Sequence, residues 1–169
     1  MTPRDSSAYL SGADPRAKGL ADALASVINA RRWSLPFTAV GAELLDSELP
    51  DSRHLAVTIV PVATEYQRAD RQYWRQTIRL AVEIRQTIDT LSDAAPLSEL
   101  TDRITEYLLN RPLTIAGTAE PWSQISLTRR RDQEILRQDL LLREIVELTY
   151  RQIGASSPAP SALTSPSPS

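Results

Sequence analysis

The sequence predicts an α+β fold in which two helices pack on an antiparallel sheet of about four to five strands, in the order α-β-β-β-α-β-β. Residues 55–62 form a nearly continuous apolar run. Residues 77–85 alternate, as a strand with one buried and one wet face does. The inward positions of that second run are Ile78, Leu80, Val82 and Ile84. Two other segments, which begin at Asp14 and Asp93, instead show helical spacing.

The first helix is predicted from Asp14 to about Arg32. Asp14 is a good N-cap and Pro15 fits the first helical position, whereas Pro36 prevents the helix from continuing. One helical face then carries Leu20, Leu24, Val27, Ile28 and Arg31. Residues 1–13 before it are small and polar, which predicts a flexible N-terminal arm.

The second helix is predicted to start near Asp93 and to stop at Asn110–Pro112, with 113–121 as a loop. Its apolar positions are Leu97, Leu100, Ile104 and Leu108. The predicted strands are 37–45, 55–62, 77–86, 122–128 and about 143–152, with a turn at 49–52 and a bulge at Gly41.

The segment 135–153 fits both periodicities. Leu141, Ile145 and Leu148 match a helix, while Val146, Thr149 and Tyr150 favour a strand, which we prefer. The domain is therefore predicted to span 14–153. Residues 154–169 are mostly Ala, Ser and Pro, a composition that predicts a disordered tail.

Composition limits the function classes. The 169-residue chain has a net charge of −2 and no cysteine, so disulfides and thiolate metal sites are excluded. Lys18 is the only lysine among nineteen basic residues; a GC-rich genome explains this, and so does a need for bidentate arginine pairs at interfaces. The sequence shows neither a 20-residue apolar stretch nor a secretory signal, so we expect a soluble, intracellular chain with no membrane segment.

The sequence offers little catalytic chemistry. His54 is the only histidine and is expected to be exposed and non-functional. Glycine-rich nucleotide motifs and a GxSxG elbow are missing. Glu83 lies between Arg79 and Arg85 and predicts ion pairs on a strand face. We therefore predict a protein that is not an enzyme and has no cofactor and no metal site.

Two arginine-rich places remain. The polar connector 64–75 is predicted to be a subunit or partner interface through Tyr66, Arg68, Arg71, Tyr73, Trp74 and Arg75. Binding of single-stranded nucleic acid and a solvated hairpin tip are the alternatives. The second place is Arg129, Arg130 and Arg131, for which we expect a charged turn, or a lumen or interface site if the protein forms a ring.

The run 57–62, then Glu65, Arg68 and Arg71, then the alternating strand 77–85 resembles the tail terminator (tail completion) proteins of long-tailed bacteriophages. A leading helix, a helix after the third strand and a closing strand at 143–150 agree with that pattern. The resemblance covers about residues 14–153 and rests on element order and pattern, since it involves no catalytic signature.

The resemblance implies a structural subunit of the virion that assembles, usually as a hexameric ring, between the tail tube and the neck. Such a ring stops tube growth and joins the tail to the head, and double-stranded DNA passes through its lumen. The expected partners are copies of the chain, the tail tube protein and a neck or head–tail connector protein. The expected location is the tail or neck of the virion, with the host cytoplasm during assembly.

The near-neutral net charge does not itself predict a surface that lines DNA. If DNA passes through the ring, a few local arginines would supply the positive surface, or an acidic lumen would let the DNA slide. Another head–tail connector (a stopper or adaptor), a nucleic-acid-binding module and a small enzyme are the alternative functions.

Overall fold

The computed structural model of the protein describes residues 14–42, 54–118 and 120–154, which form a six-stranded sheet with two long helices packed on one face. The predicted arm 1–13, the predicted turn at 49–52 and the predicted tail lie outside the described residues. The exception is Gly154, which ends the last strand.

In chain order the elements are α1 (Pro15–Asn29), β1 (Ala39–Gly41), β2 (Ala56–Arg68), β3 (Trp74–Thr87), a 3-10 turn (Leu91–Asp93), α2 (Ala94–Leu108), β4 (Leu113–Thr114), β5 (Pro121–Arg131), α3 (Gln133–Asp139) and β6 (Leu141–Gly154). The sheet order is β1-β2-β3-β6-β5-β4. All neighbours are antiparallel except β1, which runs parallel to β2. The α+β class is confirmed, whereas the strand number, the helix number and the purely antiparallel sheet are corrected.

The first helix begins as the sequence predicts and ends before Arg32. Asp14 accepts the backbone N–H of Arg16 at 2.9 Å, which satisfies one donor of the first turn. The helix stops at Asn29 because that amide turns to the start of β1, where it donates to the Ala39 carbonyl and accepts the Ala39 N–H. These two bonds fix where β1 begins.

Gly41 marks a close approach of β1 to α1 and not the predicted bulge. A Cβ at this position would come within 2.6 Å of the Asp22 carboxylate on α1. Any other residue here would therefore displace the Asp22 side chain, and glycine lets the strand lie this near the helix without that change. Of the predicted strand 37–45, the described part is β1 at 39–41.

The three long strands β2, β3 and β6 share one register and form the centre of the fold. Rows such as Ile59, Val82 and Val146 cross all three strands. The predicted inward residues Ile78, Leu80, Val82 and Ile84 are all 0% exposed, which confirms the alternation. Truncating such a side chain to alanine typically costs about 2–5 kcal/mol.

The predicted polar connector 64–75 is mostly strand. The alternation continues through Thr64, Tyr66 and Gln76, which point to the buried side, so β2 and β3 stay paired as far as Arg68 and Trp74. Only residues 69–73 are left for the turn. The connector was mistaken for a loop because its inward positions are polar rather than aliphatic.

The ambiguous segment 135–153 contains both a helix and a strand. Asp132 caps the short helix α3 by accepting the N–H of Ile135, and Leu140 ends it in the left-handed region at φ 50°. The strand β6 then starts at Leu141, so the predicted strand at 143–152 is confirmed and extended. The predicted loop 113–121 contains β4, which pairs with the start of β5.

Tyr150 is a large, fully buried side chain in the middle of β6. Its hydroxyl accepts a hydrogen bond from Gln124 Nε2 at 3.3 Å. Burial raises the pKa of Tyr150 to about 12, although the Gln124 hydrogen bond and the charge of Arg111 act in the opposite direction. The phenol is therefore neutral in the folded protein at pH values where an unfolded tyrosine ionises.

This pKa shift predicts a loss of stability at alkaline pH. The contribution is fully present below the unfolded pKa near 10 and is lost as pH rises towards 12, with a size of about 2–3 kcal/mol. Urea unfolding at pH 9 and at pH 11.5, with and without Tyr150→Phe, measures it. An equal free energy of unfolding at both pH values in the unsubstituted chain would contradict the assignment.

Candidate functional site

The helices α1 and α2 cover one face of the sheet and leave the other face uncovered. This other face, which we call the open face, is rich in arginine. It carries six arginines, Arg75, Arg79, Arg85, Arg130, Arg143 and Arg151, and three glutamates, Glu65, Glu83 and Glu147. The arginines of β3 alone are spread over about 33 Å, since each residue of a strand advances about 3.3 Å. The open face is therefore a long surface with an excess of positive charge.

Ion pairs on the open face cross between strands. Arg79 Nε lies 3.4 Å from Glu147, and Arg143 Nη2 lies 3.2 Å from Glu83. The predicted pairing of Glu83 with Arg79 and Arg85 along one strand is therefore corrected for Arg79. Glu147 lies diagonally across from Arg79, next to its direct partner Thr149, at a Cβ distance of about 7–8 Å. Glu83 lies four residues from Arg79 along β3, about 13 Å away, so the cross-strand neighbour is nearer.

Three arginines of the open face, Arg75, Arg130 and Arg151, make no ion pair with a carboxylate of the described residues. Arg75 has only a long hydrogen bond to Gln67, at 3.4 Å. Their guanidinium groups are available for an anionic partner, for which arginine is well shaped.

The hairpin turn at 69–73 is held together by Asp70. Its carboxylate accepts the backbone N–H groups of Gln72 and Tyr73 at 2.7 and 2.9 Å, as aspartate does in tight turns. Arg68, predicted as an interface residue, donates to the carbonyl groups of Asp70 and Arg71. The guanidinium of Arg68 therefore supports the turn.

Tyr66 is not on the surface of the hairpin, which corrects the prediction of an interface residue. It is 8% exposed, and its hydroxyl donates to Asp14 Oδ2 at 2.7 Å and accepts from Gln76 Nε2 at 2.7 Å. Burial and the neighbouring Asp14 carboxylate raise the pKa of Tyr66 well above its ordinary value. The residue ties the start of α1 to the hairpin.

The other predicted hairpin residues divide by position. Arg71 and Tyr73 are exposed at the turn, and the Tyr73 side chain is the only exposed aromatic of the hairpin. Trp74 is half-buried on the helix side of the sheet, opposite Arg68, whereas Arg75 is on the open face. The six predicted residues thus do not form one surface.

The three consecutive arginines also separate. Arg129 and Arg131 point to the helix side and hold the fully buried Glu144, with Arg129 Nη2 and Arg131 Nε donating at 2.8 and 2.6 Å. Ser98 of α2 donates to the same carboxylate at 3.1 Å, and Arg129 also pairs with Asp102 of α2. The predicted lumen or interface role is left with Arg130 alone.

These contacts form a clamp, made by Glu144, Arg129, Arg131 and Ser98, that fastens the first half of α2 to β5 and β6. Sequence reasoning missed it because the partner carboxylate is thirteen or more residues away. The open-face arginines were also missed as a group. Their signal was the odd-numbered spacing within β3 and within β6, which a strand turns into one face.

The described residues contain no group of three or more histidine, cysteine or carboxylate side chains that could hold a metal. His54 is exposed. An open cleft of about 770 Å³ next to Ile88 and Leu97 is lined mainly by aliphatic, amide and aspartate side chains and does not include His54. Among the described helices, none is both long and apolar enough to cross a membrane.

Comparison with known proteins identifies no family. No family model matches the sequence, and no curated protein matches it. One similar solved structure is described as "Virion of native gene transfer agent (GTA) particle", with a TM-score of 0.41 and 12% identity. The match covers 78% of this chain and 84% of the other. At this level of likeness the match carries no conclusion about function.

The clamp predicts that replacing two glutamates of β6 by alanine lowers the free energy of unfolding by unequal amounts. Glu144→Ala should lower the free energy of unfolding by about 3 kcal/mol, because it leaves Arg131 without its counter-charge and Arg129 with only the exposed Asp102. Glu147→Ala is the matched control and should cost at most about 1 kcal/mol, since its partner Arg79 is half exposed. Urea unfolding measures both, and equal costs would contradict the clamp.

Proposed function

We propose that this chain is a structural assembly protein of a phage virion, a tail terminator whose subunits form a hexameric ring on the end of the tail tube. The ring stops tube growth, joins the tail to the neck and head, and lets double-stranded DNA pass through its lumen. The proposal places the protein in the tail or neck of the virion, and in the host cytoplasm during assembly.

The observation that carries the proposal is the open arginine face. The arginine side chains of this face are half-buried or exposed, and their excess there suits a surface that meets the phosphate backbone of DNA. Placed on the inside of a ring, this face lines the lumen and leaves α1 and α2 outside. The net charge of −2 is then compatible with DNA in the lumen, because the arginines are gathered on one face.

The hairpin end gives the ring a second surface. Its turn at 69–73 is the end of the long strands, so if the strands run roughly along the ring axis the turn points to whatever lies above or below the ring. Arg71 and Tyr73 are exposed there, and these residue types are common in protein contacts. We assign this end to the tail tube protein or the neck protein.

The resemblance in element order to tail terminators supports the same role. A stopper or adaptor of the neck shares this structural class and is the first alternative. A nucleic-acid-binding module is the second, and it loses support because Tyr66 is buried and Trp74 is half-buried, which leaves one exposed ring for base stacking.

Mass photometry of the chain alone and with tail tubes tests the ring. We expect a particle of six copies of the 18.8 kDa chain, in solution or on tube ends. A monomer in solution together with a failure to bind tubes would contradict the proposal. Binding to the portal or an adaptor, with none to tubes, would instead favour the connector alternative.

Double replacement Arg71→Ala and Tyr73→Ala tests the hairpin end. Both side chains are exposed, so the monomer should lose less than about 1 kcal/mol of stability while binding to tubes or neck weakens by about tenfold or more. The matched control is Glu99→Ala with Arg103→Ala, an exposed ion pair on α2 that should leave binding unchanged. Unchanged tube and neck binding of the hairpin variant would remove this end from the contact.

A further inference from the structure

The sheet has two open edges, on opposite sides of the molecule. β1 covers β2 only at 57–59, and β4 covers β5 only at 121–122. In the part of the chain that the structure describes, no strand pairs with the outer edge of β2 from 60 to 68 or with that of β5 from 123 to 131. Open edges of this length are templates for pairing with another chain.

The middle of each open edge lacks one usual protection against such pairing, a charged side chain. No residue at 60–64 or at 123–128 is charged, whereas 24% of the whole chain is charged. Monomeric proteins commonly place lysine or another charge on an exposed edge to prevent association. Pro61 removes one donor from the edge of β2 but leaves the residues after it able to pair. The uncharged stretches at 60–64 and 123–128 therefore fit a state in which both are covered.

The two uncharged stretches lie at the same height in the sheet. Ala63 pairs with Arg79, which pairs with Thr149, which pairs with Ser126. One cross-strand row thus connects the middle of one stretch to the middle of the other. In a closed ring, neighbouring copies are related by rotation alone, without translation along the axis. Edges at a similar height along the strands can therefore meet, apart from the stagger that strand tilt requires.

Strand direction also matches. Along the order β2-β3-β6-β5 every neighbour is antiparallel, so β2 and β5 run in opposite directions. When a copy is rotated about an axis along the strands, the β5 edge of one copy meets the β2 edge of the next in antiparallel fashion. The contact joins two different surfaces, so it is head-to-tail and can close a ring.

A β-bulge interrupts each edge beside the same row. Val62 is the extra residue between Pro61 and Ala63, and Ile125 is the extra residue between Gln124 and Ser126. Both are apolar, and they remain 47% and 43% exposed. Bulges are specific features that twist or redirect a strand. The exposed apolar residue at each bulge marks one position on that edge against which a partner strand can pack.

We propose that β2 of one copy pairs with β5 of the next, with the bulge residues Val62 and Ile125 in contact and fixing the register. This inference rests on the proposed ring, names the surfaces that close it, and makes the sheet continuous from copy to copy. The partner at both edges is a second copy of this chain.

Opposite charges at the two bulges test the pairing. Val62→Glu and Ile125→Lys should each raise the concentration for half-assembly by about tenfold or more, because each buries an unpaired charge. A 1:1 mixture of the two variants should restore the ring. Alternating copies then bring the introduced glutamate against the introduced lysine at one contact and keep the natural Val62 and Ile125 pair at the next, which an even-membered ring allows.

The matched controls are Leu91→Glu and Leu109→Lys, which replace apolar residues of similar exposure away from both edges and should not change assembly. Failure of the mixture to assemble, or assembly of both single variants at the normal concentration, would overturn the edge pairing. A ring that persists in that case leaves the proposed function standing. Natural chain that is monomeric with and without tail tubes overturns both.

Cysteine cross-linking gives a second test that does not depend on charge. The chain has no cysteine, and β2 and β5 are three strand spacings apart, about 14 Å, too far for a disulfide within one copy. The double variant Val62→Cys and Ile125→Cys should therefore form covalent oligomers up to six copies under oxidation. Each single-cysteine variant should stay without such a ladder, and monomer alone from the double variant in assembled rings would refute the contact.

Discussion

The shared register of β2, β3 and β6 is the constraint on which the rest of the structure depends. A slip of one residue in any of these strands would move its aliphatic side chains to water and its arginines into the core. The rows that cross all three strands place aliphatic residues under the helices, among them Val57, Ile59, Ile78, Leu80, Val82 and Ile84. The same register gathers the outward arginines into one face, so the buried core and the candidate functional surface have one cause.

Polar contacts at the two ends of the sheet hold the helices in place. Asp14, Tyr66 and Gln76 join the start of α1 to the hairpin end. The Glu144 clamp joins the start of α2 to the opposite end. Because each contact is buried or half-buried, a broken one leaves a polar group without a partner, which is costly. The helix layer is thereby fixed at both ends, and the other sheet face remains open to a partner.

The sequence predicts the parts of this fold that depend on local patterns. The cap at Asp14, the helical spacing of α1 and α2, and the alternation in β3 are read from neighbouring residues, and the structure confirms them. The parallel pairing of β1, the continuation of β2 and β3 through polar inward residues, and the burial of Glu144 depend on long-range partners. The hairpin residues were grouped by composition, but Tyr66 points to the buried side of β2 whereas Tyr73 is exposed in the turn.

The subunit has its core on one side of the sheet, an arginine face on the other and an exposed turn at one end. We propose that the open face lines the lumen of a closed ring. A cryo-electron microscopy reconstruction of capped tail tube ends would locate both faces. We expect a closed ring with the open face on the inside and α1 and α2 on the outside, and a ring with the helices lining the lumen would contradict the proposal.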